Sequence, residues 1–208
     1  HHLKKRFEKL TIKFTILDVN SPETHIEKML TKFNKEGFEV DHFPVKIDKN
    51  FKDNMSTTMA SIKHSFNLAK NCKDLIYFVE DDYVHKNEAL TEMLFAYEKF
   101  CSIYQNEIFI LSTDYPYLYK KMNSSNILIG ENTHWRTVKE SLLTFMTSKK
   151  MVEKYFDKLI DMTTRQSDPF EKNLHEIYEQ EKCLSPIPSL SVHCTNINSV
   201  FGISPNLN

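Results

Sequence analysis

Three consecutive carboxylates, Glu80-Asp81-Asp82, are the residues of this chain best placed to do chemistry. They end an apolar run, Asp74-Leu75-Ile76-Tyr77-Phe78-Val79. A short continuous run of this kind reads as a buried strand covered on both faces, as in parallel α/β sheets. Ligands in open α/β sheets sit in the crevice beyond the carboxyl ends of the strands. Three acids at such an end repel one another unless a cation shares them, and oxygen donors suit Mg²⁺ or Mn²⁺. One acid of this type alone reads as a cap on the next turn or a solvated side chain. The three together point to a metal or phosphate-linked site.

The elements that must hold these acids follow from spacing. Thr11 to Asp18 is a strand-like run, and Ser21, Pro22 and Glu23 make a helix start. Ile26, Met29, Leu30 and Phe33 repeat at helical spacing, Gly37 marks the stop, and Phe38 to Val45 reads as a second strand. In the first turn, Asp18 and Asn20 either hold a nucleotide base or ribose or serve ordinary turn chemistry. Met59, Ile62, Phe66 and Ala69 give a helix stripe, beside which Lys63 and His64 reach a ligand or solvent. Asn87 caps a helix with Leu90, Met93, Leu94, Tyr97, Cys101 and Tyr104 on one face. Glu107 to Ser112 is another buried strand, followed by Thr113-Asp114-Tyr115-Pro116-Tyr117. Residues 123–137, with Trp135 and Arg136, read as polar and irregular. Ser141 to Thr147 is a strand, and Ser148 caps a helix. Ser167-Asp168-Pro169-Phe170-Glu171 opens another helix with a capping-box pattern, and the Pro-punctuated tail is extended. The alternation predicts one α/β domain with a central, mostly parallel sheet flanked by helices.

Composition narrows the function. The chain has 208 residues, enough for one substantial core, and 27 basic against 28 acidic residues with no long basic run. That balance argues against nucleic acid as a partner. No apolar run reaches the roughly 18 residues of a transmembrane segment. Cys72, Cys101, Cys183 and Cys194 are scattered, which fits a reducing, cytoplasmic compartment. With three Gly in all, neither Gly-rich phosphate-loop pattern is present. The His1-His2 start leads us to expect further domains in the full-length protein, through which it could lie peripheral to a membrane.

The β-α-β opening, the helix, the strand ending in Glu80-Asp81-Asp82 and the aromatic-rich second half together resemble a GT-A-fold, nucleotide-sugar-dependent glycosyltransferase of the family-2-like kind. In that family an Asp-x-Asp-type motif ends a central strand; here it stands as Glu-Asp-Asp. The resemblance implies a single GT-A-like, Rossmann-like domain, with residues 1–112 as the nucleotide-sugar-binding half and 113–208 as the acceptor-binding half. It implies a hexosyl-type transfer from a UDP- or GDP-sugar to a glycan acceptor, as in polysaccharide biosynthesis.

Residue roles follow from the same resemblance. Asp82 and His193 would hold Mn²⁺ or Mg²⁺, the latter otherwise a hydrogen-bonded structural His. Asp18, Asn20, Lys63, Glu80 and Asp81 would meet the nucleotide. Asp114, Tyr115, Trp135 and Arg136 would meet the acceptor. For an inverting transfer, Asp168 would be the base that takes the acceptor's proton, its other reading being a helix cap, with Asp114 as the alternative base; a retaining transfer would need no such base. A sugar nucleotidyltransferase, or a non-catalytic nucleotide- or carbohydrate-binding module, is the alternative.

Overall fold

The computed structural model describes residues 10–47, 54–120, 124–164 and 169–194. Strand β1 (Lys13–Asp18), helix α1 (Glu23–Lys35) and strand β2 (Glu39–Pro44) form the expected β-α-β unit, with β1 and β2 parallel from Lys13↔Glu39 to Asp18↔Pro44. The start of α1 is shifted: Pro22, rather than Ser21, is the N-cap, and no side chain caps it. The Asp18 carboxylate instead accepts the Ser21 N–H at 3.3 Å, and Asn20 sits at φ +63°. The helix ends in a Schellman motif. Phe38 N–H bonds the Phe33 carbonyl, Gly37 N–H bonds that of Asn34, and Gly37 takes φ +73°. Phe14, Phe33 and Phe38 cluster over this junction, with ring centroids 4.7 to 6.5 Å apart.

Helix α2 (Asn54–Ala69) buries Met59, Phe66 and Ala69, as its spacing predicts. It leads to β3 (Leu75–Phe78), the acid turn, and β4 (Tyr83–His85). Then come α3 (Ala89–Tyr104), β5 (Phe109–Leu111), a short 3-10 helix (Pro116–Lys120), β6 (Ile127–Ile129), β7 (His134–Val138) and β8 (Phe145–Ser148). Asn87 does not cap α3; its N-cap is Glu88, without a side-chain bond. Ser148 does cap α4 (Lys149–Lys154), accepting the Met151 N–H at 3.2 Å. The chain breaks at Tyr155 into α5 (Phe156–Met162), then forms α6 (Lys172–Tyr178), β9 (Cys183–Ile187) and β10 (Ser191–His193).

The fold is mixed α/β, but the expected mostly parallel sheet is replaced by a mostly antiparallel one. Six strands lie in the order β3-β8-β5-β9-β7-β6, and only β5–β9 pair parallel within it. An apolar strand reports that both its faces are covered, which helices do here, and says nothing of its neighbour's direction. Two features absent from the sequence reading set the directions: the β6–β7 hairpin, in a stretch taken as irregular, and β8 inserted between β3 and β5. Because β3 and β5 both oppose β8, they run the same way, and β9 joins them. Their carboxyl ends therefore emerge together.

Strict alternation along the strands builds a core on each face. Ile76, Phe78, Phe109, Leu111 and Phe145 pack with α2, α4, α5 and α6 residues such as Phe66, Val152, Leu159 and Leu174. Leu75, Tyr77, Ile110, Met146 and Leu184 pack with Met93, Ala96 and Phe100 of α3 and with Trp135. Gly130 makes room there, since a Cβ on it would stand 2.6 Å from the Trp135 indole nitrogen. Among the described residues, no helix is long and apolar enough to cross a membrane.

Candidate functional site

The acid turn lies at the shared carboxyl end of β3, β5 and β9, and β10 reaches it from the far end of the chain. Pairing of β4 with β10 sets His193 opposite Tyr83. The two rings stack at 4.6 Å with 8° between planes, and His193 Nε2 donates to Asp82 Oδ2 at 2.8 Å. The backbone closes the corner, with Cys194 N–H bonding the Asp82 carbonyl at 2.7 Å. Beneath, the hydroxyls of Tyr83 and Tyr115 bond at 2.8 Å, and burial holds both phenols above their ordinary pKa.

Glu80 turns inward. Its N–H donates to Thr144 Oγ1 at 3.2 Å, and that hydroxyl faces Glu80 Oε2 at 3.4 Å. Burial, then the charge of Asp82, with smaller contributions from Glu171 and Asp81, pushes the Glu80 carboxyl up to about 7 against the pull of Thr144. Asp81 is exposed. The turn thus presents one outward acid, one inward acid that holds its proton more tightly than an ordinary carboxyl, and one acid held by an imidazole.

A second polar centre sits nearby. Arg136 donates through Nε and Nη2 to Asp114 Oδ1 at 2.9 and 2.7 Å. The Ser185 hydroxyl adds a bond to the same oxygen at 3.2 Å, and the Tyr119 hydroxyl bonds Oδ2. The Asp114 N–H donates to Ser189 Oγ at 2.9 Å, and the Arg136 guanidinium lies 4.5 Å over the Tyr119 ring. Both side chains are about nine-tenths buried. This cluster ties β5, β7 and β9 together.

The structure therefore joins Glu80, Asp82 and His193 in one group, and Asp114 and Arg136 in another. Tyr115 and Trp135, expected beside an acceptor, are both 0% exposed and offer no ring face to a ligand. Arg136, also expected beside an acceptor, is buried with its Nε and Nη2 bonded to Asp114. Asp18 and Asn20 make turn contacts, and Lys63 is exposed on α2. Asp168 lies outside the described residues.

Sequence reasoning missed Thr144, Tyr83 and Glu171 as members of the site. Tyr83 follows the acids directly, and strand alternation could have turned it inward. Glu171, 7% exposed, ends the loop before α6, and its charge reaches Glu80. Thr144 carries no local signal, since only the β3–β8 pairing brings it to Glu80.

The donor set can be tested against a divalent cation. Among the described residues, no three His, Cys, Asp or Glu side chains converge as a ready metal cage. The Asp82 and His193 donor atoms, 2.8 Å apart, have nearly the separation of adjacent ligands on an octahedral ion, about 3 Å for bonds of about 2.1 Å. A small hard cation held through one or two protein groups normally completes its shell with water and substrate phosphate. The pair fits that mode once Nε2 releases the proton it gives to Asp82, because a ligating imidazole nitrogen carries none. Comparison with protein-family models finds no match for this chain, and a search of curated proteins finds none either.

Proposed function

We propose that the chain is a GT-A-like glycosyltransferase that moves a sugar from a nucleotide-sugar donor to a glycan acceptor. The observation that carries this reading is the Asp82–His193 pair. A hydrogen bond across 111 residues sets an acid and an imidazole side by side where the ends of β3, β5 and β9 meet. The parallel β1-α1-β2 unit and the acids after the third strand support the fold assignment.

In this reading Asp82 and His193 hold Mn²⁺ or Mg²⁺, which would supply Lewis-acid stabilisation of the departing diphosphate. Glu80 and Asp81 flank the donor's ribose and phosphates. The acceptor hydroxyl oxygen forms a bond to the anomeric carbon as the bond from that carbon to the diphosphate oxygen breaks. The hydroxyl proton passes to a carboxylate in an inverting transfer. We assign that carboxylate to Asp168. Glu171, three residues further along the sequence, is close enough for its charge to be felt at Glu80.

The test is thermal unfolding with UDP, GDP and CDP, each with and without Mn²⁺. A ligand at a hundredfold excess over its Kd adds about 2.7 kcal/mol of stability. We expect a shift that needs both one nucleotide and the metal, lost in Asp82→Asn while the unliganded midpoint stays close to wild type. Absence of any joint shift defeats the proposal.

A further inference from the structure

Tyr83 and His193 face each other because β4 and β10 pair antiparallel, and residues directly opposite in such a pair carry their side chains on one face. Their rings do more than touch. They lie parallel, 8° apart, whereas core pairs such as Phe109–Tyr178 and Phe78–Phe145 meet at 63° and 42°. A parallel stack restrains the plane of each ring, which a tilted contact does not.

The imidazole is the group that needs this restraint. The last torsion of a His side chain is broad and roughly two-fold. A ring free to turn about it would carry Nε2 away from Asp82 Oδ2, which it meets at 2.8 Å. Tyr83 is not free to turn with it. The ladder fixes its backbone, and its hydroxyl is bonded at 2.8 Å to that of Tyr115, a residue wholly inside the protein. The phenol is therefore held at both ends, and the imidazole lies against its face. The stack also has an electronic side. An imidazole that has given a lone pair to a cation is electron-poor, and the face of a Tyr ring attracts positive charge. The contact thus favours the cation-bound ring over the free one.

We propose that Tyr83 is a positioning residue of the cation site. It holds His193 with Nε2 turned to Asp82 before a cation arrives, and it acts through the imidazole, its own hydroxyl being committed to Tyr115. This inference rests on the reading of Asp82 and His193 as the ligands.

The experiment compares wild type, Tyr83→Phe and Tyr83→Leu. Each is titrated with Mn²⁺, alone and with UDP, GDP or CDP, and followed by the relaxation of solvent protons, which protein-bound Mn²⁺ enhances. Tyr83→Leu should weaken Mn²⁺ binding about tenfold to a hundredfold, the range found when a group that orients a ligating His is removed. Tyr83→Phe keeps the ring and should retain most of the affinity. NMR of the metal-free proteins supplies the second readout. The His193 ring protons should lie upfield, under the ring current of residue 83, in wild type and Tyr83→Phe, and should lose that shift in Tyr83→Leu. Unchanged amide shifts at Val84 and Val192 would show that β4 and β10 remain paired. If Tyr83→Leu loses that pairing, Tyr83→Met takes its place. Equal Mn²⁺ affinity in wild type and the ringless variant overturns the role of Tyr83 and leaves the two ligands standing, whereas no uptake by wild type in any mixture overturns both. A wild-type His193 ring without the upfield shift overturns the proposal whichever variant folds.

Discussion

Asp114 and Glu80 are both buried carboxylates at the same end of one sheet, and the protein treats them in opposite ways. Asp114 is met by an Arg fork, a serine hydroxyl and a tyrosine hydroxyl, drawn from β7, the loop after β5 and β9. Glu80 is met by one threonine hydroxyl and faces the charges of Asp82, Glu171 and Asp81. A buried charge is tolerated when paired and otherwise neutralises. Asp114 has its partner, whereas burial and acidic neighbours raise the Glu80 carboxyl above its ordinary range. The comparison separates a carboxylate that closes the fold from one left in want of positive charge, a distinction that residue type and position at a strand end do not make.

The largest effect should come from breaking the satisfied centre. Arg136→Met leaves Asp114 buried without its partner, and removal of one member of a buried pair costs about 3–5 kcal/mol. Denaturant unfolding measures it, and the double variant Arg136→Met/Asp114→Leu should recover most of the loss. A single-variant cost under about 1 kcal/mol would show that the two carboxylates are not treated differently after all.

Glu80→Gln should act with the other sign. A carboxyl whose folded pKa is raised from 4.5 to about 7 binds its proton more tightly in the folded state. It therefore draws stability from the fold as pH climbs from 4.5 through 7. The glutamine variant should be more stable at neutral pH by up to about 3 kcal/mol, and level with wild type near pH 4. Unfolding midpoints across that pH window decide it; a wild type that gains stability on the same climb, relative to the variant, sinks the idea.

The smallest change is Thr144→Val. It removes the one hydroxyl that favours the charged form of Glu80, so the Glu80 titration, followed by ¹³C NMR, should move further up. The stability cost should be about 1 kcal/mol. A downward move would mean that Thr144 serves the protonated acid instead.

Local rules made the first half readable. Strand-like apolar runs placed β1, β2 and β3, the last covered on both faces, helical spacing placed α1 and α2, and Gly37 stopped α1 because its backbone adopts φ +73°. Ser148 capped α4 for an equally local reason, the N–H of Met151 three residues on. The second half resisted because its organisation is non-local. Strands β6 and β7 are short, set among polar residues, and become a hairpin only by pairing with β9. Trp135, in that polar setting, looked like a ligand platform, yet Gly130 opens a slot that seats it in the core. Arg136 was expected at an acceptor, yet Asp114, 22 residues earlier, holds its guanidinium. The acids themselves were legible from sequence, and so was His193 as a candidate, but the contact between them was not.

That contact bears on the order in which the molecule assembles. Closing a loop of 111 residues costs about 4 kcal/mol in chain entropy if done in one step. Docking of β9 beside β5 shortens the remaining closure to the few residues between Ile187 and Ser191, so β10 has little left to lose when it meets β4. The imidazole should therefore arrive last, on a scaffold already formed. A chain emerging from the ribosome would carry a finished core before it carried a finished site, and would stay inert toward its ligands until His193 had emerged and docked.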